Sequence, residues 1–255
     1  VIKNIRRFSL SILVTILVSA CGVKSSESKV INGVDDRNSI ELSSPLPSHV
    51  VGRLVAKMEG NMFYTCTASF ISANLVLTAG HCVMNEDGGL RSQEIRFFPG
   101  VFSKPAWDSG ILANFVWRSR AYGSSNNENN RHVDWAVLRV DSQSQDWFEV
   151  FDGDLQLGAL LSTISYPNEK SEKGWTPFSE TNCRLNQYGS GQLSVAFWST
   201  CDVTQGASGG PVLAYVPSLN KFYIVGINVA EGNQTLGSFH LKSSYLVREI
   251  NATVF

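Results

Sequence analysis

The run TQGASGGPV, residues 204–212, sets one serine among residues of minimal bulk. Gly206, Gly209 and Gly210 surround Ser208, and Pro211 closes the run. Glycine clusters of this kind occur where a backbone turns tightly or comes close to a ligand. Two readings are open at this point: Ser208 is a nucleophile held on such a turn, or the run is a flexible loop. The residue before the serine is Ala207, which carries no charge, and any account of Ser208 has to accommodate it.

A serine nucleophile needs a base within hydrogen-bond reach, and histidine is the usual one. The chain has four histidines. His81 stands in LVLTAGHCV, residues 75–83, directly after an apolar run and behind the small Ala79 and Gly80. Only Cys82 lies near it at ligand spacing, so no metal is expected there. In RHVDWAVLRV, residues 131–140, Asp134 opens an apolar strand. A charge in that place calls for a partner. Taken alone, Asp134 reads as a solvated strand end; its context changes that. The order His81, Asp134, Ser208 is the chain order of the chymotrypsin triad, and it differs from that of subtilisin and the α/β-hydrolases.

TAGHC, DWAVL and GASGGPV together resemble the three signature blocks of trypsin-like serine proteases, over a span from Val30 to the C-terminus. The resemblance implies an all-β fold of two antiparallel six-stranded β-barrels, chymotrypsin-like, with a short C-terminal helix. It implies that Ser208 attacks the peptide carbonyl, that His81 relays the proton, and that Asp134 orients and stabilises the imidazole. The backbone N–H groups of Gly206 and Ser208 would form the oxyanion hole. Preorganised donors of this kind contribute about 2.7–4 kcal/mol each in the transition state. Animal trypsins carry an aspartate before the nucleophile, which pairs with a new N-terminal ammonium. Ala207 cannot make that pair. The departure points to the bacterial glutamyl-endopeptidase-like branch, whose mature start KVINGVDDR, residues 29–37, resembles.

Specificity is expected from Asp202, Val203, Asn228 and Glu231 around the substrate pocket. Asp202 lies where trypsins place the acid that binds Lys or Arg, whereas Asn228 stands where the glutamyl branch has a histidine. The alternatives to an endopeptidase are a catalytically silent protease-like binding module and an esterase using the same triad. Cleavage-site profiling and covalent labelling of Ser208 separate them.

The remaining chain fits this frame. Hydrophobic residues are 43% and charged residues 17% of 255, a globular composition. The net charge of −1 gives no electrostatic reason for nucleic-acid binding. Protein or peptide substrates, no nucleic acid, no cofactor and a monomer are expected. Short apolar-aromatic runs separated by turn residues recur from residue 49 to 229, the signature of a barrel or sandwich. SSYLVREINATVF at the end reads as a helix. The expected division is a first barrel over 30–150, carrying His81 and Asp134, and a second over 151–255, carrying Ser208.

Residues 1–20 pair a basic start, with Lys3, Arg6 and Arg7, to an uncharged apolar run. That is the layout of a secretory signal. It ends in VSAC, which resembles the lipobox of bacterial lipoproteins, with Cys21 the acylated residue and 21–29 a tether. The expected location is the bacterial cell envelope, with a membrane partner through that lipid. Five cysteines leave four once Cys21 is set aside, and four permit three connectivities. The protease resemblance implies Cys66–Cys82, bracing the strands that carry the base, and Cys183–Cys201, bracing the approach to Ser208.

Overall fold

The computed structural model describes residues 29–41, 44, 46–85, 87–92, 94–118, 133–170, 174–233 and 236–254. The leader 1–20, Cys21, the tether up to residue 28 and the polar loop 123–132 lie outside the described residues.

The strands are β1 (Lys29–Val30), β2 (Asn38–Ser39), β3 (Val51–Lys57), β4 (Phe63–Phe70), β5 (Leu75–Thr78), β6 (Glu94–Pro99), β7 (Ile111–Arg118) and β8 (Ala136–Val140). They continue as β9 (Glu149–Val150), β10 (Leu160–Ser165), β11 (Phe178–Tyr188), β12 (Ala196–Ser199), β13 (Val203–Thr204), β14 (Pro211–Val216), β15 (Lys221–Asn233) and β16 (Gly237–Lys242). One α-helix, α1 (Ser243–Val254), ends the described chain. Strands β3-β4-β5-β8-β7-β6 close into one six-stranded antiparallel barrel. The ring β10-β14-β15-β16-β12-β11 closes through β10–β11 into the second. This is the two-barrel, all-β architecture with one terminal helix. Among the described residues, closure leaves no long open sheet edge in either half.

The first barrel is built from aromatic and β-branched runs. Phe70, Phe97, Leu77 and Leu138 are 3% exposed or less and meet in its interior. Fully burying each such side chain stabilises the fold by about 1.5–3 kcal/mol. The apolar cluster continues without a break into the second barrel through Tyr166, Ile164, Leu213, Ile227 and Leu241. Leu246 of α1 joins it, fully buried.

The halves are stitched by polar groups. Arg53 of β3 is 4% exposed, donates to the Gly174 carbonyl and to Asn168 Oδ1, and lies over the Trp175 ring at 4.8 Å. Burial lowers its pKa to about 10. The disulfides Cys66–Cys82 and Cys183–Cys201 are both formed, one in each half. Closing the first, 16 residues apart, contributes roughly 3 kcal/mol in the chain-entropy account.

The N-terminal segment departs from the expected 30–150 division. β1 pairs with β13, and β2 pairs with β11, so residues 29–39 belong with the second barrel. β9 pairs with β15 there as well. Arg37, 5% exposed, locks the segment down by donating to Asp35, Glu169 and Thr204 Oγ1. The hydrogen bond from Arg37 holds the Asp35 carboxyl far below the usual range.

His240 on β16 is fully buried, with Nε2 2.7 Å from Ser199 Oγ. Burial depresses its pKa to about 3. An unfolded chain protonates this residue near 6.5, the folded one only near 3. Its stabilising contribution is therefore complete above about 6.5 and lost as pH falls toward 3. Expected outcome: thermal melts show His240→Gln less stable than wild type at pH 7, and the gap between them narrows steadily down to pH 4.

Candidate active site

His81 sits in a single tight turn, Gly80–Cys82, that follows β5. β5 pairs with β8 so that Thr78 faces Ala136, which carries residues 79–81 alongside 133–135. Asp134, 5% exposed, uses both oxygens on one residue. Oδ1 accepts the His81 backbone N–H at 2.7 Å and Oδ2 lies 2.7 Å from His81 Nδ1. An ionised carboxylate only accepts, so the Nδ1 proton points at Asp134 and the Nε2 lone pair is left for another partner. Gly80 permits this grip: a Cβ there would stand 3.0 Å from Asp134 Oδ1 and 3.2 Å from the Trp135 amide.

The wall behind His81 comes from residues that sequence patterns did not flag. Arg91 donates to the His81 carbonyl at 3.0 Å and to the Met84 carbonyl at 3.1 Å. Its guanidinium stacks 4.1 Å over Tyr64, and Tyr64 meets the His81 ring edge-on at 6.4 Å. Arg91 lies in a polar run without periodicity, so nothing in the sequence marks it.

Ser208 is half-buried on the turn between β13 and β14. Gly206 and Gly209 have φ of 89° and 78°, the left-handed region where glycine is at home. A Cβ on Gly206 would strike the Tyr166 carbonyl, and one on Gly209 would strike Thr78 and Thr67. The turn is held from two sides. From the first barrel, Thr67 of β4 donates its N–H to the Ser208 carbonyl and its hydroxyl to the Gly206 carbonyl, both at 2.8 Å. The Thr67 hydroxyl accepts from the Tyr166 amide at 3.0 Å, and the Thr67 carbonyl accepts from Thr78 Oγ1 at 2.8 Å. From β15, the Asn228 carbonyl accepts the Gly209 amide at 2.7 Å, and the Asn228 amide donates to the Gly210 carbonyl at 2.9 Å.

Within the turn, Ala207 donates to Thr204 at 3.0 Å and Gly210 to Ala207 at 2.9 Å. The amides of Gly206 and Ser208 find no acceptor among the described residues. Two unpaired N–H groups flanking a serine can hold a developing oxyanion. Cys82 Sγ lies 3.9 Å from the Ser208 carbonyl oxygen, so the residue after His81 touches the backbone of the serine. Cys82 and Cys66 are bonded to each other, so these sulfurs next to His81 are not thiolate ligands.

The expected pocket residues fall in different places. Asn228 is 1% exposed and packed under the serine turn, with Nδ2 3.3 Å from the Ala207 carbonyl and Oδ1 unpaired. Asp202 is 2% exposed, and its Oδ1 accepts the Asn32 amide at 2.7 Å. Its own amide donates to Glu180 Oε2 at 2.6 Å. Burial, with the Asp202 charge alongside, pushes Glu180 up to about 8. Val203, 2% exposed, is paired to Val30 in the β1–β13 ladder. Glu231 falls in β15, but its side chain lies outside the described residues.

Two closed barrels with a carboxylate-held histidine on one and a glycine-turned serine on the other define a chymotrypsin-type serine protease fold. The chain belongs to the trypsin-like peptidase family, whose domain profile matches residues 66–215, more than half of its length. No curated protein sequence matches it. Among solved structures, it resembles a Glu endopeptidase in complex with MPD at 19% identity and TM-score 0.69, over 88% of this chain and 98% of that one. It also resembles the protease Anisep from Arthrobacter nicotinovorans at 19% identity and TM-score 0.63, over 81% and 96% of the two chains. The thermostable serine protease AL20 from an extremophilic microorganism follows at 16% identity and TM-score 0.62, over 81% and 97%. At these identities the likeness is one of fold.

Expected outcome: Thr67→Val, which keeps shape but removes the hydroxyl, leaves the Tyr166 amide and Gly206 carbonyl without their partner. It should lower stability by about 1–3 kcal/mol in denaturant titration. It should also slow the labelling of Ser208 by a serine-reactive phosphonate.

Proposed function

We propose that the protein is an exported serine endopeptidase that cleaves peptide bonds through an acyl-enzyme, with His81, Asp134 and Ser208 as its triad. The observation that carries this reading is the two-point grip of Asp134 on His81, made beside the turn that holds Ser208. Ser208 Oγ attacks the carbonyl carbon as its proton passes to His81 Nε2. The C–O bond forms while the carbonyl electrons move to oxygen, which the Gly206 and Ser208 amides receive. Collapse expels the amine, which takes the proton from His81. Water then attacks the acyl-enzyme by the same relay and frees Ser208. Throughout, Asp134 keeps the imidazole in the tautomer with Nδ1 protonated.

Asp202 does not support a tryptic preference, because Asn32 occupies one of its oxygens and the N-terminal segment lies across it. Ahead of that segment, the proposal places a lipid on Cys21, with the tether 21–29 as the spacer to a bacterial membrane. Intact-mass analysis of the cell-envelope protein tests this: an unmodified Cys21 overturns it.

Expected outcome: Ser208→Ala abolishes peptide hydrolysis, and Asp134→Asn lowers kcat by on the order of 10⁴, both with wild-type melting curves. Wild-type turnover in either folded variant removes the triad assignment. Hydrolysis of esters but not peptides by the wild type would favour the esterase, and absence of phosphonate labelling the silent binding module.

The β1–β13 ladder yields a second expectation. Lys29 itself is paired with Thr204, so the dock includes a residue upstream of Val30 and needs no free amine there. Proteins beginning at Ser25 and at Val30 should therefore give the same fraction of titratable Ser208. If Val30 instead contributes its ammonium to substrate binding, the longer form raises KM more than it lowers kcat.

A further inference from the structure

We propose that Asp36, Glu180 and Asp202 form a calcium-type divalent cation site that fastens the N-terminal segment to the second barrel. One oxygen from each of the three lies within 4.8 Å of the others. Oxygens on opposite sides of a calcium ion at 2.3–2.6 Å are about 4.6–5.2 Å apart, so one ion can reach all three.

The bonding already in place leaves an oxygen available on each residue. Glu180 gives Oε2 to the Asp202 amide, and Asp202 gives Oδ1 to the Asn32 amide. The remaining Asp202 Oδ2 is buried, in a residue 2% exposed, and has no hydrogen-bond partner. A buried carboxyl oxygen without a donor is an unsatisfied polar group, a condition that a cation relieves. The neighbouring positive charges are engaged elsewhere: Arg37 with Asp35 and Glu169, and Lys170 with Asp35. Among the described residues no Lys or Arg is ion-paired with any of the three carboxylates. Asp36 is exposed, which opens the cluster to ions in solution.

All three ligands are hard oxygens, and water can complete a flexible shell, which suits calcium better than a soft or strictly octahedral metal. The ligands come from three stretches: the segment after β1, the strand β11, and the residue just before β13. An ion here therefore joins the N-terminal segment to the strand that leads into the Ser208 turn.

The test is calorimetric and thermal, on protein stripped with a chelator and then titrated with CaCl2 or MgCl2. The expected result is one calcium bound with Kd near 10⁻⁴ M, as in extracellular modules, and a rise in melting temperature. Asp36→Asn, at an exposed position, should weaken calcium binding about tenfold or more while leaving the metal-free melt unchanged. No heat and no thermal shift at about 10 mM CaCl2 would overturn the site, as would Asp36→Asn binding as tightly as wild type. A larger response to magnesium overturns the calcium assignment. If Glu180→Gln raises the metal-free melting temperature and calcium does nothing to the wild type, the buried pair shares a proton instead, and the proposal fails.

Discussion

Thr67 is where the two halves of the molecule become one machine. Its amide and hydroxyl hold the carbonyls of Ser208 and Gly206, while its hydroxyl and carbonyl receive the Tyr166 amide and the Thr78 hydroxyl. It is fully buried, so each of these groups would be costly to leave unpaired. The turn bearing Ser208 is thereby referenced to β4 and β5, the strands that also place His81 and Cys82. Positioning of this kind matters because a small misplacement of reacting groups lowers rates by large factors.

The same clamp answers the question raised by Ala207. A charged residue before the serine would need an equal and opposite partner in a site that is 0% exposed. Here the turn is set by neutral backbone hydrogen bonds and by two glycines at positive φ. Neutral backbone bonds carry no charge that a nearby amine would have to balance. The charged groups are instead one step removed, where Arg37 holds Thr204 and Thr204 accepts from Ala207.

What could be read from the sequence follows the physics of burial. Strands of the first barrel stand out because apolar and aromatic side chains fill that barrel. The residues proposed for chemistry stand out because a His, an Asp and a Ser beside small residues and strand ends are hard to explain otherwise. Strands β10, β11 and β16 were not legible, since their buried positions include Thr163, Glu180, Ser238 and His240. Hydroxyls, a carboxyl and an imidazole share the interior there with Leu161, Ile164, Leu185, Phe239 and Leu241, so polar residues interrupt the apolar pattern. Thr67 was hidden for the opposite reason: threonine is ordinary in a strand, and only the fold shows what its hydroxyl meets. The docking of residues 29–39 on the second barrel depends on pairings far along the chain, which local pattern cannot reveal.

That docking also spans most of the chain. Asn32 meets Asp202 across 170 residues of chain, so this early segment pairs with strands that lie far later in the sequence. Contacts of such separation close late, because the entropy of the intervening loop must first be reduced by other structure. The same segment carries Arg37, which grips Thr204 at the foot of the serine turn. A chain without residues 29–39 thus lacks the strut that Arg37 sets beneath Ser208. The contacts that dock residues 29–39 and the contact that braces the foot of the Ser208 turn therefore belong to one segment.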